Sequence, residues 1–215
     1  MRKVTANNIE FAPAPAGSHL ARTIWLIELG THTETYAGME KTNFKTAFAW
    51  ELPTELQEFD ESKGPQPFIV TREFNMSLGE KANLRKFLEG WRGEVFTKEQ
   101  VEDGFDPSVL AGKACLVNVI HRVKQKVGGG SYAFVDSASK LPKGMVCPPQ
   151  INPTIVYSID DGKNAVYAQL PEWIKKKIAA SKEFTSLASS PVQNDAPVDP
   201  GIDSPEAGEE SGDPF

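Results

Sequence analysis

One strongly amphipathic helix, set between three strand-like runs and two more, restricts this chain more than any other feature. Leu84, Phe87, Leu88 and Trp91 recur at i, i+3, i+4 and i+7, with Lys81, Arg85, Lys86 and Glu89 on the opposite side. Ser77 and Glu80 have the S-x-x-E spacing of a capping box, and Gly93 is the stop signal. Four large apolar side chains on one stripe require an apolar surface to cover, and the flanking runs supply one.

Leu20 to Leu29 (LARTIWLIEL) is rich in β-branched and apolar residues and ends at Gly30, which makes it a first strand. Residues 1–17 before it are polar, with Pro13 and Pro15, and form a lead-in at most. Lys41 to Leu52 alternates: Phe44, Thr46, Phe48 and Trp50 fall on one face, and Lys41, Asn43, Lys45 and Ala47 on the other. This period of two predicts a second strand with a dry side and a wetter, basic side, stopped by Pro53. Phe68–Phe74 is a third strand, Lys113 to Val123 a fourth, and Ser131 to Ser139 a fifth after the Gly128-Gly129-Gly130 loop. Thr97 and Gln100 repeat the capping pattern, and Asp106-Pro107 opens a short helix that stops at Gly112. Ile155–Ile159 and Ala165–Ala168 are expected to pair as a small hairpin around Asp160-Asp161-Gly162. Pro171 starts a last helix, EWIKKKIAAS, whose Trp173, Ile174 and Ile178 are expected to dock on the barrel.

Strand, strand, strand, helix, strand, strand is the order of the oligonucleotide-binding barrel, the OB-fold, in which the helix plugs the barrel between strands three and four. Several small β folds share such an order. The expected fold class is mainly β: a five-stranded OB-fold barrel with a helix between strands 3 and 4, an extra C-terminal helix and a disordered acidic tail. Residues 1–185 are expected to form the barrel domain with its C-terminal hairpin and helix, and residues 186–215 the tail.

The tail accounts for the charge. The whole chain has 23 basic and 29 acidic side chains, yet Ser186 to Phe215 contain seven acids and no Lys or Arg, so residues 1–185 carry 23 basic against 22 acidic groups. An acidic, Pro- and Gly-rich segment closing on Asp213-Pro214-Phe215 has too little apolar area to offset its ordering entropy. A terminal Phe215 behind Pro214 is wasted apolar area unless a partner reads it. The N-terminus lacks the apolar stretch of a signal peptide, and no run approaches membrane-spanning length. Cys115 and Cys147 are the only cysteines, and free thiols in a reducing cytoplasm are expected.

Several spaced stretches together resemble a family of tailed-phage single-stranded-DNA-binding proteins. They are Pro15-Ala16-Gly17-Ser18-His19-Leu20-Ala21-Arg22, Glu28-Leu29-Gly30-Thr31, and Gly38 to Lys45 with its spaced Lys41 and Lys45. Ser77-Leu78-Gly79-Glu80-Lys81-Ala82 leads through Leu84-Arg85 to Trp91-Arg92-Gly93, and Leu141-Pro142-Lys143-Gly144 and Leu170-Pro171-Glu172-Trp173-Ile174 complete the set. The resemblance covers about residues 11–184. The C-terminus is similar in kind to the acidic tail of bacterial single-strand binders, although only Asp213 directly precedes Pro214-Phe215 here. The resemblance implies an OB-fold, no catalysis, no cofactor, and a tail that recruits replication or recombination proteins in the cytoplasm of a bacterial host. Whether the chain is a monomer or a homodimer stays open.

Binding single strands without sequence preference needs a cationic groove for phosphates and flat aromatic faces for bases. In an OB-fold that groove crosses strands two and three, between the loops joining strands one and two and strands four and five. Those places hold Tyr36, then Lys41 and Lys45 on the wetter side of strand two, then Arg72 on strand three. Arg122, Lys124 and Lys126 cluster before the triple glycine, and Tyr132 lies after it. Asp213, Pro214 and Phe215 are the expected partner-binding tip. Each has an ordinary alternative: Tyr132 and Phe134 alternate as core aromatics do, strand-edge cations are commonly only solvated, and acidic tails commonly only solubilise.

Enzyme signatures are incomplete. His32-Thr33-Glu34 matches half of a zinc-deaminase signature without the P-C-x-x-C, and the cysteines and histidines lack metal-ligand spacing. No phosphate loop or G-x-S-x-G elbow occurs. Glu61-Ser62-Lys63 could serve a metal-dependent nuclease but sits in a charged loop. The remaining alternatives are an adaptor whose barrel binds protein and, last, that nuclease.

Overall fold

The structure is a computed structural model that describes residues 12–36, 38–123 and 130–189, without the side chains of Tyr36 and of residues 187–189. It is mainly β. Strands β1 (Gly17–Tyr36), β2 (Met39–Gln57), β3 (Gln66–Asn75), β4 (Ala114–Val123) and β5 (Ser131–Ser139) form one antiparallel sheet in the order β3-β2-β1-β4-β5. Helix α1 (Asn83–Arg92) lies between β3 and β4, followed by α2 (Lys98–Asp103) and a 3-10 turn at Pro107–Leu110. A short β6 (Ile155–Tyr157) joins β1 in parallel, and α3 (Ala165–Gln169), α4 (Glu172–Ala179) and α5 (Lys182–Ser189) end the described chain. No described helix is long and apolar enough to cross a membrane.

The sheet coils without closing: among the described residues no ladder joins β3 to β5, so the closed five-stranded barrel is not what forms. A side chain spans that gap instead. Arg72 of β3 donates through Nη1 to the carbonyls of Val135 (2.8 Å) and Asp136 (2.6 Å) on β5. Inside the coil, Phe48, Trp50, Phe74 and Val117 meet the helix stripe Leu84, Phe87, Leu88 and Trp91. Phe87 reaches 4.9 Å from Phe74 and 5.3 Å from Trp50, ring centre to ring centre, so α1 plugs the sheet through aromatic edges.

A second core lies on the outer face of β1 and β2. Ile27, Leu29 and Ala47 pack there against Tyr157, Ile159, Leu170, Ile174, Ile178 and Phe184. Polar ties fix this layer: Glu28 accepts from Ser158 Oγ (2.7 Å) and Ile159 N (3.0 Å), and Glu183 from Thr31 N (2.8 Å) and Oγ1 (2.6 Å). Glu51, fully buried, accepts from Ile151 N, Asn152 N and Asn152 Nδ2 at 2.7–2.8 Å, which satisfies a carboxylate that would otherwise be costly to bury.

This layer corrects several expectations. The side of β2 expected to be wetter is dry from Ala47 through Ala49 to Glu51: the C-terminal layer packs on Ala47, and Ile151 and Asn152 bond to Glu51. The expected hairpin is absent: β6 pairs with β1, and Ala165–Gln169 is helical because Asn164 caps it, accepting from Tyr167 N at 2.8 Å. Pro53 does not stop β2, since a register shift between Leu52 and Leu56 accommodates it. Ser77-x-x-Glu80 does not cap α1, which starts after Ala82; Ser77 Oγ instead accepts from Gly79 N (3.2 Å). Thr97 and Gln100 do form the reciprocal box. Ile174 and Ile178 dock as expected, but Trp173 stays 42% exposed. Helix α5 runs to Ser189, past the expected domain limit, and the rest of the tail lies outside the described residues.

Candidate nucleic-acid interface

The outer face of β4 and β5 is open where that of β1 and β2 is covered. Val119 and Val135 point inward and are buried, so alternation turns Arg122, Tyr132 and Phe134 outward. Arg122 is the ladder partner of Tyr132, and its guanidinium carbon lies 3.3 Å from the centre of the Phe134 ring. The Arg72 guanidinium approaches the same ring at 4.8 Å. Arg122 also meets Asp136 at 3.6 Å, with both side chains nearly half exposed. Such a pair is weak and screened, and a phosphate can replace the carboxylate.

Beyond Phe134 the face opens into a cleft of about 1050 Å³ between β3, β5 and the start of α1. Lys81, Lys86 and Arg122 bring positive charge to its walls, and Glu73, Glu80 and Asp136 bring negative charge. Asn43, Asn75 and Asn83 add neutral polar groups. The first turn of α1 holds no acid, and its N-cap Ala82 offers no side-chain acceptor, so nothing acidic on the helix itself opposes an anion there. Chemically the region joins exposed cations to an aromatic ring on the sheet.

The sequence-predicted residues divide. Arg122 and Tyr132 come together, with Tyr132 39% exposed. Arg72 lines the same cleft, but its Nη1 is committed to two carbonyls and its guanidinium also stacks 4.5 Å from Phe74. Burial pushes its pKa down, opposed by Asp136 and reinforced by Arg122. It therefore holds the wall. Lys45 is the ladder partner of Asn75 at the cleft, yet its ammonium is ion-paired with Glu34 and its side chain is only 14% exposed. That hydrogen bond holds the Glu34 carboxyl below its ordinary range. Lys41 sits opposite Glu34 toward the end of the β1–β2 ribbon, away from the β4–β5 face in the sheet order. The Tyr36 side chain, Lys124, Lys126 and the tip Asp213, Pro214 and Phe215 lie outside the described residues.

Sequence reasoning missed Phe134, Lys81 and Lys86 as interface candidates. Phe134 shares a period-two face with Tyr132, which was the available signal; Lys81 and Lys86 looked like an ordinary solvated helix face. The enzyme fragments have local explanations. His32 Nε2 lies 3.0 Å from the Leu29 carbonyl oxygen, Glu34 is paired with Lys45, and Ser62 donates to Asp60. Among the described residues no group of three His, Cys, Asp or Glu could hold a metal ion. Comparison with protein families, curated proteins and solved structures found no match.

Proposed function

We propose that this chain binds single-stranded DNA without sequence preference, as a non-catalytic coating protein of phage replication or recombination. The observation that carries the reading is the Arg122–Phe134 stack beside exposed Tyr132, opening on the cleft that holds Lys81 and Lys86. A ring and cations together offer a face for bases and charges for phosphates, which is what sequence-independent binding needs.

The architecture supports it. Joining the free ends of the order β3-β2-β1-β4-β5 gives the strand path of an OB barrel, and that fold is itself only partly closed. We read the chain as an OB-like sheet whose seam is bridged by Arg72 rather than by a ladder. The strand-two face used by many OB-folds is covered here at Ala47, so the ligand route shifts to the open face of β4 and β5. The acidic tail then recruits replication or recombination proteins through Asp213, Pro214 and Phe215, and competes with phosphate when DNA is absent.

A fluorescence titration of oligo(dT) against residues 1–215 and 1–189 across salt concentrations tests this. Salt-sensitive binding that tightens without the tail is the expected result, because neutralised phosphates release counterions. Absence of oligo(dT) binding by either form would falsify the reading.

A further inference from the structure

The candidate cleft does not end at β3. Glu73, one of its wall residues, is ion-paired with Lys177 of α4. Helix α4 buries Ile174 and Ile178 against the outer core, which turns Trp173, Lys176 and Lys177 away from it. Trp173 is 42% exposed, and Lys177 Nζ lies 5.8 Å from its ring centre. An exposed indole costs apolar area in water, and a lysine at this range covers it only partly. Near the start of α5, Lys182 meets Thr42 Oγ1 at 3.4 Å, so this edge carries further positive charge. The acids facing it are Glu73, paired with Lys177, Glu34, paired with Lys45, and Glu172, paired with Lys175.

From this continuity we propose that Trp173, with Lys176 and Lys177, forms an outer subsite for single-stranded nucleic acid, reached from the cleft across the Glu73–Lys177 pair. The inference rests on the single-strand reading above. A base stacks on Trp173, and a phosphate takes the place of the Glu73 carboxylate on Lys177. The C-terminal layer thus gives back, on its own surface, a stacking platform for the strand-two face it covers. Only a strand long enough to leave the cleft reaches it.

The intact chain, labelled oligo(dT) of about 6 and about 20 nucleotides, and two readouts test this, since one OB-fold spans roughly 4–16 nucleotides. Label anisotropy reports binding, and tryptophan emission reports Trp173, because Trp50 and Trp91 are buried and Trp25 is partly buried. The long oligomer quenches emission, and Trp173→Phe, which retains a stacking face, removes that quench. Trp173→Ala weakens the long oligomer about tenfold and the short one less than about twofold. Lys176→Glu lowers the salt slope for the long oligomer alone by about 0.7. Quenching that persists in Trp173→Phe, or a Trp173→Ala variant with unchanged affinity at both lengths, overturns the subsite while the cleft reading stands. Failure of the unaltered protein to bind either oligomer overturns both.

Discussion

The outer faces of β1–β2 and β4–β5 belong to one sheet and obey one alternation, yet they have opposite fates. On β1 and β2 the outward residues include Ile27, Leu29 and Ala47, packed against Tyr157 of β6 and against Ile174, Ile178 and Phe184 of α4 and α5. On β4 and β5 they include Arg122, Tyr132 and Phe134, and they stay open. Burying a side chain such as Ile27 or Leu29 is worth about 1.5–3 kcal/mol, so the covered face serves stability. A face so committed cannot also hold a ligand. The cations on β2 are poor site candidates for their own reasons, Lys45 being ion-paired with Glu34 and Lys41 lying toward the end of the β1–β2 ribbon, while an arginine and a phenylalanine on the open face of β4 and β5 are good ones.

The largest break in this comparison comes at Gly30. It has φ +83° in β1, and a Cβ there would sit 2.4 Å from Ile159 Cδ1, 2.6 Å from Ser181 Cβ and 2.7 Å from Glu183 Oε2. Strained backbone and overpacking add together, so Gly30→Ala loses about 3–4 kcal/mol in urea unfolding. The covering layer should loosen first, while oligo(dT) affinity measured below the unfolding transition changes little. A variant as stable as the parent would show that the two layers are not in tight register.

Next in size is the open face. Reversing Lys81, Lys86 and Arg122 together to Glu should weaken oligo(dT) binding about a hundredfold and flatten the salt slope by about 0.7 for each lost phosphate contact. The urea midpoint should fall only modestly, through the lost Arg122–Phe134 stack, because Lys81 and Lys86 are exposed and the Arg122–Asp136 pair is weak. Unchanged affinity would remove the cleft from the interface. A large stability loss would make these residues scaffold.

The contrast between the faces also marks how far the sequence could be read. The five main strands and α1 were legible, β2 and α1 from their periods and β1 from its β-branched, apolar run, although β1 continues past Gly30 to Tyr36; Leu84, Phe87, Leu88 and Trp91 bury as the helical period requires. The second core was not. Ala47 is small and shares a strand face with Lys45, so local pattern reads it as wet; it is buried in one cluster with Ile174 and Ile178, more than a hundred positions away. β6 has three residues, too few to show a period, and its parallel partner is remote. At the candidate site, Arg122 and Tyr132 were legible from their places before and after the triple glycine, and the structure pairs them on the β4–β5 ladder. Lys81 and Lys86 became candidates only when α1 was seen to start at the cleft.

A smaller effect joins the open face to the helix plug. A Cβ at Gly90 of α1 would fall 2.7 Å from the carbonyl oxygen of Ala138 on β5, so the helix and the strand touch through backbone. Gly90→Ala gains helix propensity of roughly 0.8–1 kcal/mol, but overpacking costs about 1–3 kcal/mol. The expected net is a loss of about 1 kcal/mol in urea unfolding. Because Asp136 and Ser137, just ahead of Ala138, line the cleft, oligo(dT) affinity should fall with it, unlike the case of Gly30→Ala. Stabilisation instead would mean that α1 can slide away from β5 at no cost.

An effect no larger separates the faces by pH. Tyr157, buried in the outer core, donates its hydroxyl to the Gly162 carbonyl at 2.9 Å. Burial, the largest cause, raises the phenol's pKa from 10.0 to about 12, with smaller contributions from Tyr167, Asp161 and Glu28. A folded-state value above the unfolded one means that the folded protein holds this proton longer. The corresponding stability is complete below pH about 10 and is lost as the pH rises toward about 12. Tyr157→Phe should lose about 1 kcal/mol at neutral pH through the missing hydrogen bond, and should decline less steeply than the parent across that alkaline window. Comparing the two proteins cancels the lysines and other tyrosines that titrate in both. Parallel alkaline declines would mean that the hydroxyl is solvated, and that the covering layer at Tyr157 is as open as the β4–β5 face.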